Sequence, residues 1–133
     1  DAPNGLMMDA GQVRGLRQAG MDIGAHTISH PILARLTDRE ARAEIGGSRE
    51  TLEALLGERV PLFAYPNGQP SRDYRGQHVA MVRDMGFRGA VSTAWGANRP
   101  GRSDPFQLRR FTPWDRSPGR FVGRLLWQGR QTG

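Results

Sequence analysis

Residues 20–31 read Gly20-Met21-Asp22-Ile23-Gly24-Ala25-His26-Thr27-Ile28-Ser29-His30-Pro31. Met21 to His26 follow a glycine and read as a short buried strand. Two of the chain's three histidines then stand four positions apart. On a helical turn, positions i and i+4 face the same way, so both imidazoles would reach one ion. Pro31 disfavours helical backbone at His30 and ends that turn at the second histidine. α/β folds place ligand sites where a strand passes into a turn. The hydroxyls of Thr27 and Ser29 are placed to order the turn. By spacing alone, two unrelated surface histidines remain the alternative.

The flanking segments alternate between helix and strand patterns. Asp9 with Gln12 forms a capping box. The helix it opens carries Val13, Leu16 and Ala19 or Ala10 on one face and stops at Gly20. Asp22 is expected within the strand approaching the histidines. Thr37 with Glu40 forms a second box, and Ala41, Ile45, Ser48, Leu52, Leu55 and Leu56 follow at helical spacing up to Gly57. Gly46 and Gly47 inside this helix cost about 1 kcal/mol each relative to Ala, and mark close packing or a bend. Val60 to Tyr65 read as the next strand, closed by the turn Pro66-Asn67-Gly68. A third helix spans Tyr74 to Met85, with Val79, Val82 and Met85 inward, and Phe87 to Thr93 give a third strand. Residues 94–106 are a Gly/Pro/Asn-rich loop, and Phe106 to Phe111 are expected to form a fourth strand. Pro118 to Gln128 read as a helix whose stripe of Phe121, Val122, Leu125 and Leu126 is expected to close the core. This order implies parallel strands in an α/β layer or barrel, with no internal repeat and no linker, hence one domain over 1–133.

The 133 residues suffice for one ordinary domain. Cysteine is absent, which excludes a disulfide scaffold, a thiol nucleophile and a zinc finger. Lysine is absent too, so Schiff-base chemistry and a P-loop lysine are excluded. No apolar run approaches the roughly 20 residues of a membrane span. Residues 1–66 hold seven arginines against nine acids, a net of −2, whereas residues 67–133 hold twelve against four, a net of +8. A basic half suits an anionic polymer, a nucleic acid or a membrane surface, or is simply a solvated face. The compartment, cytoplasm or cell envelope, stays open.

His26-Thr27-Ile28-Ser29-His30 fits the pattern H-[ST]-x-[ST]-H at every position, and in its strand-to-turn context it resembles the metal motif of the NodB-type polysaccharide deacetylases. Leu62-Phe63-Ala64-Tyr65-Pro66-Asn67-Gly68 resembles the family's following strand and turn, and Gly86 to Thr93 the strand after that. The resemblance runs from about Met8 to about Arg110. It implies an α/β fold, part of a deformed (β/α) barrel with parallel strands and flanking helices. It implies removal of N-acetyl groups from a carbohydrate polymer. It also implies a divalent metal, usually zinc, held by His26, His30 and an aspartate. That metal would polarise the amide carbonyl and activate water. The resemblance assigns an oxyanion-stabilising backbone N–H to the turn at Tyr65. Tyr65, Pro66, Trp95 and Trp114 are the candidates to contact a sugar, since sugars stack on aromatic rings. Read without the resemblance, Tyr65 is a core aromatic before a turn.

The family's Asp-Asp pair, base and third metal ligand, has no counterpart here. Asp9 reads as a cap and Asp22 as a strand residue. The family's late histidine is not matched either, since His78, the third histidine, reads as a surface or helix-packing residue. The family's arginine before the aromatic turn is missing, and Arg109 or Arg110 is the candidate to supply its charge. The chain begins with Asp1 rather than Met. The expectation is therefore the C-terminal portion of a deacetylase domain, with the Asp pair upstream of Asp1, weak metal binding and poor hydrolysis. A part-barrel leaves sheet edges open, which favours a homodimer. A carbohydrate-binding pseudo-deacetylase is the non-catalytic alternative. Nucleic-acid binding is disfavoured, because no basic helix or aromatic motif for it is present. Amphipathic docking of the C-terminal helix on a membrane is the remaining alternative.

Overall fold

The computed structural model describes residues 7–110 and 116–130 of the chain. The first helix, α1 (Ala10–Gln18), opens on the expected reciprocal cap. Asp9 Oδ1 accepts from Gln12 N at 2.8 Å, and Gln12 Oε1 accepts from Asp9 N at 2.9 Å. Gly20, at φ +89°, turns the chain after it. Helix α2 (Asp38–Leu56) opens on the Thr37–Glu40 box and ends at Gly57, which is left-handed at φ +70°. It buries Ala41, Ile45 and Ser48, while Leu52 and Leu56 pack on the rim of the core. It runs through Gly46 and Gly47 without interruption, and of the two it is Gly47 that marks a close approach. A Cβ at Gly47 would stand 2.6 Å from Ile28 Cδ1.

Three strands, β1 (Gly24–Ala25), β2 (Leu62–Ala64) and β3 (Gly89–Val91), pair in parallel in the order β1-β2-β3. Parallel neighbours need a crossover. Helix α2 supplies it between β1 and β2, and α3 (Gly76–Asp84) between β2 and β3. The register aligns Ala25, Phe63 and Ala90 in one row across the sheet, and all three are buried. Leu33, Ile45, Val60, Val79, Val82 and Phe87 complete the core around that row.

Four expectations are corrected. The first strand is only two residues long, and Asp22 lies outside it, exposed and ion-paired with Arg17 at 3.3 Å. A charged side chain with a solvent-side partner gains nothing from entering the ladder. Over the described part of the expected fourth strand, residues 106–110, one bridge forms, Val91 with Leu108, and Phe111 lies outside the described residues. Asp104 folds residues 104–107 into a tight turn before it, accepting from Phe106 N and Gln107 Nε2. After it, the Asn98 carboxamide takes both backbone groups of Arg109, at 2.8 and 2.9 Å, in place of a neighbouring strand. The segment still covers the outer edge of β3, because Ala90 N donates to Pro105 O and Leu108 N to Ala90 O. Finally, α4 (Pro118–Arg130) forms, but its stripe does not close the core: Val122, Leu125 and Leu126 are 49, 46 and 63% exposed. The described core cluster and its rim are supplied by residues up to Phe106. Of the two positions expected for His78, surface or helix-packing, it takes the second and is buried within α3. No described helix is long and apolar enough to cross a membrane.

Candidate functional site

The carboxyl ends of the three strands lie along one edge of the sheet, where parallel α/β folds place their ligands. His26 leaves β1 there, the turn from Tyr65 to Gly68 leaves β2, and Ser92 and Thr93 leave β3. His26 Nδ1 lies 2.7 Å from the Ala64 carbonyl oxygen at the end of β2. A carbonyl only accepts, so Nδ1 carries the proton and the lone pair of Nε2 is left for a ligand. The rings of His26 and His30 stand edge-on, with centroids 4.8 Å apart.

The two rings meet without a helical turn. Thr27 and His30 are both left-handed, at φ 64° and 57°, and fold the chain back on itself. Thr27 Oγ1 donates to the His26 carbonyl. Helix α2 holds the crown of the turn. One oxygen of Glu44, Oε2, accepts from Ile28 N at 2.8 Å and Ser29 N at 2.9 Å, and Oε1 accepts from the Ser29 hydroxyl at 2.6 Å. Burial disfavours the charged form, but the Ser29 hydroxyl and the Ser29 and Ile28 amides outweigh it and hold Glu44 below the usual carboxylate range. Sequence reading missed Glu44. The available signal was an acid three residues after Ala41 and four before Ser48, on the inward side of α2.

The turn after β2 is stitched to β3. Thr93 N donates to Gly68 O at 2.9 Å and Thr93 Oγ1 to Asn67 O at 2.7 Å. Gly68 sits at φ +75°, and a Cβ there would come 3.0 Å from Thr93 N. The Tyr65 N–H expected to face an oxyanion instead donates to Val91 O at 3.2 Å, continuing the parallel ladder. Gly68 N donates to Pro66 O, and proline has no N–H, so Asn67 carries the amide of this turn without a partner among the described residues. Tyr65 and Pro66 are buried and offer no face to a sugar. The Tyr65 ring stacks on Tyr74 at 3.9 Å, its hydroxyl donates to Phe106 O at 3.0 Å, and burial raises its pKa. Trp95 is 64% exposed, with the Arg124 guanidinium 5.9 Å from its ring centre. Arg110 is exposed two residues beyond Leu108, at the same sheet edge. Trp114 lies outside the described residues.

His78 belongs to the core. Its Nδ1 accepts from Arg75 N at 2.9 Å, its Nε2 has no hydrogen-bond partner among the described residues, and burial lowers its pKa.

Residues 4–90 match the family model described as polysaccharide deacetylase. The chain belongs to the polysaccharide deacetylase family. It is 33% identical to Chitin deacetylase 3 of Cryptococcus neoformans over 78 residues, 59% of this chain and 18% of that relative. It is 34% identical to the peptidoglycan-N-acetylmuramic acid deacetylase PdaC of Bacillus subtilis over 58 residues, 44% of this chain and 12% of the relative. The deacetylase PplD of Streptococcus pyogenes, solved with acetate, superposes with a TM-score of 0.75 at 21% identity, covering 91% of this chain and 52% of that one. IcaB of Ammonifex degensii superposes at 0.69 and 23% identity, over 92% and 53%. The polysaccharide deacetylase fold, a deformed (β/α) barrel, is therefore the fold to which these three parallel strands and their helices belong. The chain spans about half the length of these two solved chains and under a fifth of these two curated relatives.

The deacetylase family is generally metal-dependent. The His26–His30 pair fits a metal in its donor chemistry, because the second nitrogen of His26 is fixed by a carbonyl, as ligating histidines usually are. Among the described residues no group of three or more His, Cys, Asp or Glu comes together, so a third ligand is not part of them. Asp9 is spent on a cap and Asp22 on Arg17.

Proposed function

We propose that this chain carries the histidine half of a metal-dependent deacetylase site that hydrolyses N-acetyl groups on a carbohydrate polymer. The observation that carries the reading is the His26 Nδ1 bond to Ala64 O, which leaves Nε2 for a ligand on a ring whose centre is 4.8 Å from that of His30, within the motif that resembles the family's own. His26 and His30 would hold the metal, with zinc the expected ion. When bound, that ion supplies a Lewis acid for the acetamide carbonyl and lowers the pKa of water. The unpartnered Asn67 N–H, at the neighbouring strand end, is the donor for the developing oxyanion. Trp95 and Arg110 lie exposed on segments leaving the same edge, Trp95 as the sugar-contacting candidate and Arg110 as the candidate to supply the charge of the family's arginine.

A catalytic zinc site takes three protein ligands. The described residues offer two, so zinc binding by this stretch alone is weak and its hydrolysis slow. The outer edge of β1 has no described strand beside it, and further barrel strands or a second copy of the chain would add there.

The test is calorimetric titration of zinc into the wild-type chain, His26→Ala and His30→Ala, with acetate release from an N-acetylglucosamine oligomer measured alongside. Zinc binding that both substitutions abolish is the expected result. Equal zinc affinity in all three proteins overturns the reading. That the described residues include no third ligand favours one second reading, a carbohydrate-binding pseudo-deacetylase. Oligomer binding that ignores zinc and both substitutions would establish it instead.

A further inference from the structure

The His26–His30 turn contains two left-handed non-glycine residues, one of them the β-branched Thr27. Such backbone persists only where the surroundings over-determine it. Thr27 spends its hydroxyl on the adjacent His26 carbonyl, which is a local bond and ties the turn to nothing else. Every described hydrogen bond between residues 27–30 and the rest of the fold ends on one carboxylate, that of Glu44. It takes three donors with two oxygens. It comes from a helix anchored elsewhere, by the Thr37 cap at one end and by Glu53, bonded to Arg49 at 2.7 Å and Val60 N at 2.9 Å, near the other. Ile28, the middle residue of the turn, rests on the bare backbone of Gly47, one turn further along the same face.

We propose that Glu44 is a positioning residue for the histidine pair: its carboxylate locks the 27–30 turn in the one conformation that brings the two rings together. Glu44 touches neither ring, so it acts through the backbone of Ile28 and Ser29. The assignment rests on the metal reading only where the test uses zinc. A neutral amide cannot reproduce the carboxylate, because Glu44→Gln keeps one acceptor oxygen and points an NH2 group at a donor. Glu44→Ala removes all three bonds.

The experiment compares the wild-type chain with Glu44→Ala, Glu44→Gln and, as a control, Glu53→Gln, which loosens α2 without touching the turn. Zinc affinity is measured by calorimetry, thermal stability by circular dichroism, and amide exchange at Ile28 and Ser29 with the contact between the two imidazoles by NMR. Glu44→Ala should weaken zinc binding about 10- to 100-fold, the range found for residues that orient ligands. Glu44→Gln should fall between it and wild type, and Glu53→Gln should lower the melting temperature while leaving zinc affinity unchanged. Wild-type zinc affinity in Glu44→Ala overturns the assignment, as does a loss that Glu53→Gln matches. Should the wild-type chain bind no zinc, the metal reading fails, and the NMR arm still decides. Faster exchange at Ile28 and Ser29 with loss of the ring-to-ring contact in Glu44→Ala upholds the positioning role, and an unchanged turn ends it.

Discussion

His26 Nδ1 lies 2.7 Å from the carbonyl oxygen of Ala64, so the imidazole that leaves β1 is fastened to the last residue of β2. The bond connects residues 38 positions apart in sequence. It exists because the register Ala25 with Phe63 brings the next residue of each strand side by side. One contact therefore fixes a tautomer, orients a ring and closes the carboxyl edge of the sheet. His30 has no described hydrogen bond, and what holds it is the turn itself.

This asymmetry separates the two histidines experimentally. His26→Ala removes a hydrogen bond and should lower stability by about 1 kcal/mol. His30→Ala should leave stability within about 0.5 kcal/mol of wild type, as exposed substitutions do. Both should abolish the zinc response. Urea denaturation followed by zinc titration of each variant checks the pair, and equal destabilisation by the two would contradict the asymmetry.

The pH dependence of stability should show a step that belongs to His78. Desolvation lowers its pKa; the charge of Asp38 opposes that shift and that of Arg75 adds to it. The folded state thus binds the proton less readily than the unfolded chain, whose value is about 6.5. Stability is full above that value and falls as pH drops below it, because the unfolded chain takes up the proton first. Glu44, Asp73 and Asp104 are also lowered, and they lose stability in the same direction in a separate, lower window below the ordinary carboxylate value. His78→Asn keeps an acceptor near the Arg75 amide and should flatten the dependence below about pH 6.5 while leaving the carboxylate window unchanged. Melting temperatures of both proteins across pH 4 to 8 measure it. A wild-type curve flat from pH 8 to 5 would rule the step out.

Local features were legible in the sequence, and long-range ones were not. The caps at Asp9 and Thr37 and the stop at Gly57 depend on residues three or four apart, and each formed as its spacing dictates. The histidine pair was legible as a pair but not in its geometry, because two left-handed residues, not a helical turn, bring the rings together. Glu44 lies 15 residues from Ser29, and nothing in the motif itself points to it. The Tyr65 amide was misassigned for the same reason: its partner, Val91 O, comes from a strand on the far side of α3. The apolar stripe of α4 predicted burial because periodicity reports which face is apolar and not whether the core has room for it.

Two glycines should respond oppositely to alanine. Gly68 is left-handed at φ +75° against Thr93 N, and Gly68→Ala meets backbone that cannot yield. It should cost about 1–2 kcal/mol from the left-handed backbone alone. Gly47 is helical, and the atom a new Cβ would meet is Ile28 Cδ1, the free end of a side chain that is 64% exposed. Ile28 can rotate aside, so Gly47→Ala should keep much of the roughly 1 kcal/mol by which alanine favours a helix. Thermal melts of the two variants settle the signs.

Tyr65→Phe tests whether the aromatic of the second motif serves the fold or the substrate. The ring is covered by Tyr74 on one face and Phe63 at its edge, and only the hydroxyl does something phenylalanine cannot, donating to Phe106 O at 3.0 Å. That bond fastens the loop before Leu108 to the end of β2. Losing it should cost about 1 kcal/mol. Zinc affinity and binding of an N-acetylglucosamine oligomer should not change, because no part of the ring reaches the sheet edge where His26 and Asn67 stand. Trp95→Ala should do the reverse, leaving stability nearly unaltered while weakening oligomer binding, since its ring is exposed on the loop that leaves β3. Calorimetric titration of the oligomer into both variants distinguishes the roles, and weakened binding in Tyr65→Phe with intact binding in Trp95→Ala would return the sugar surface to the second strand.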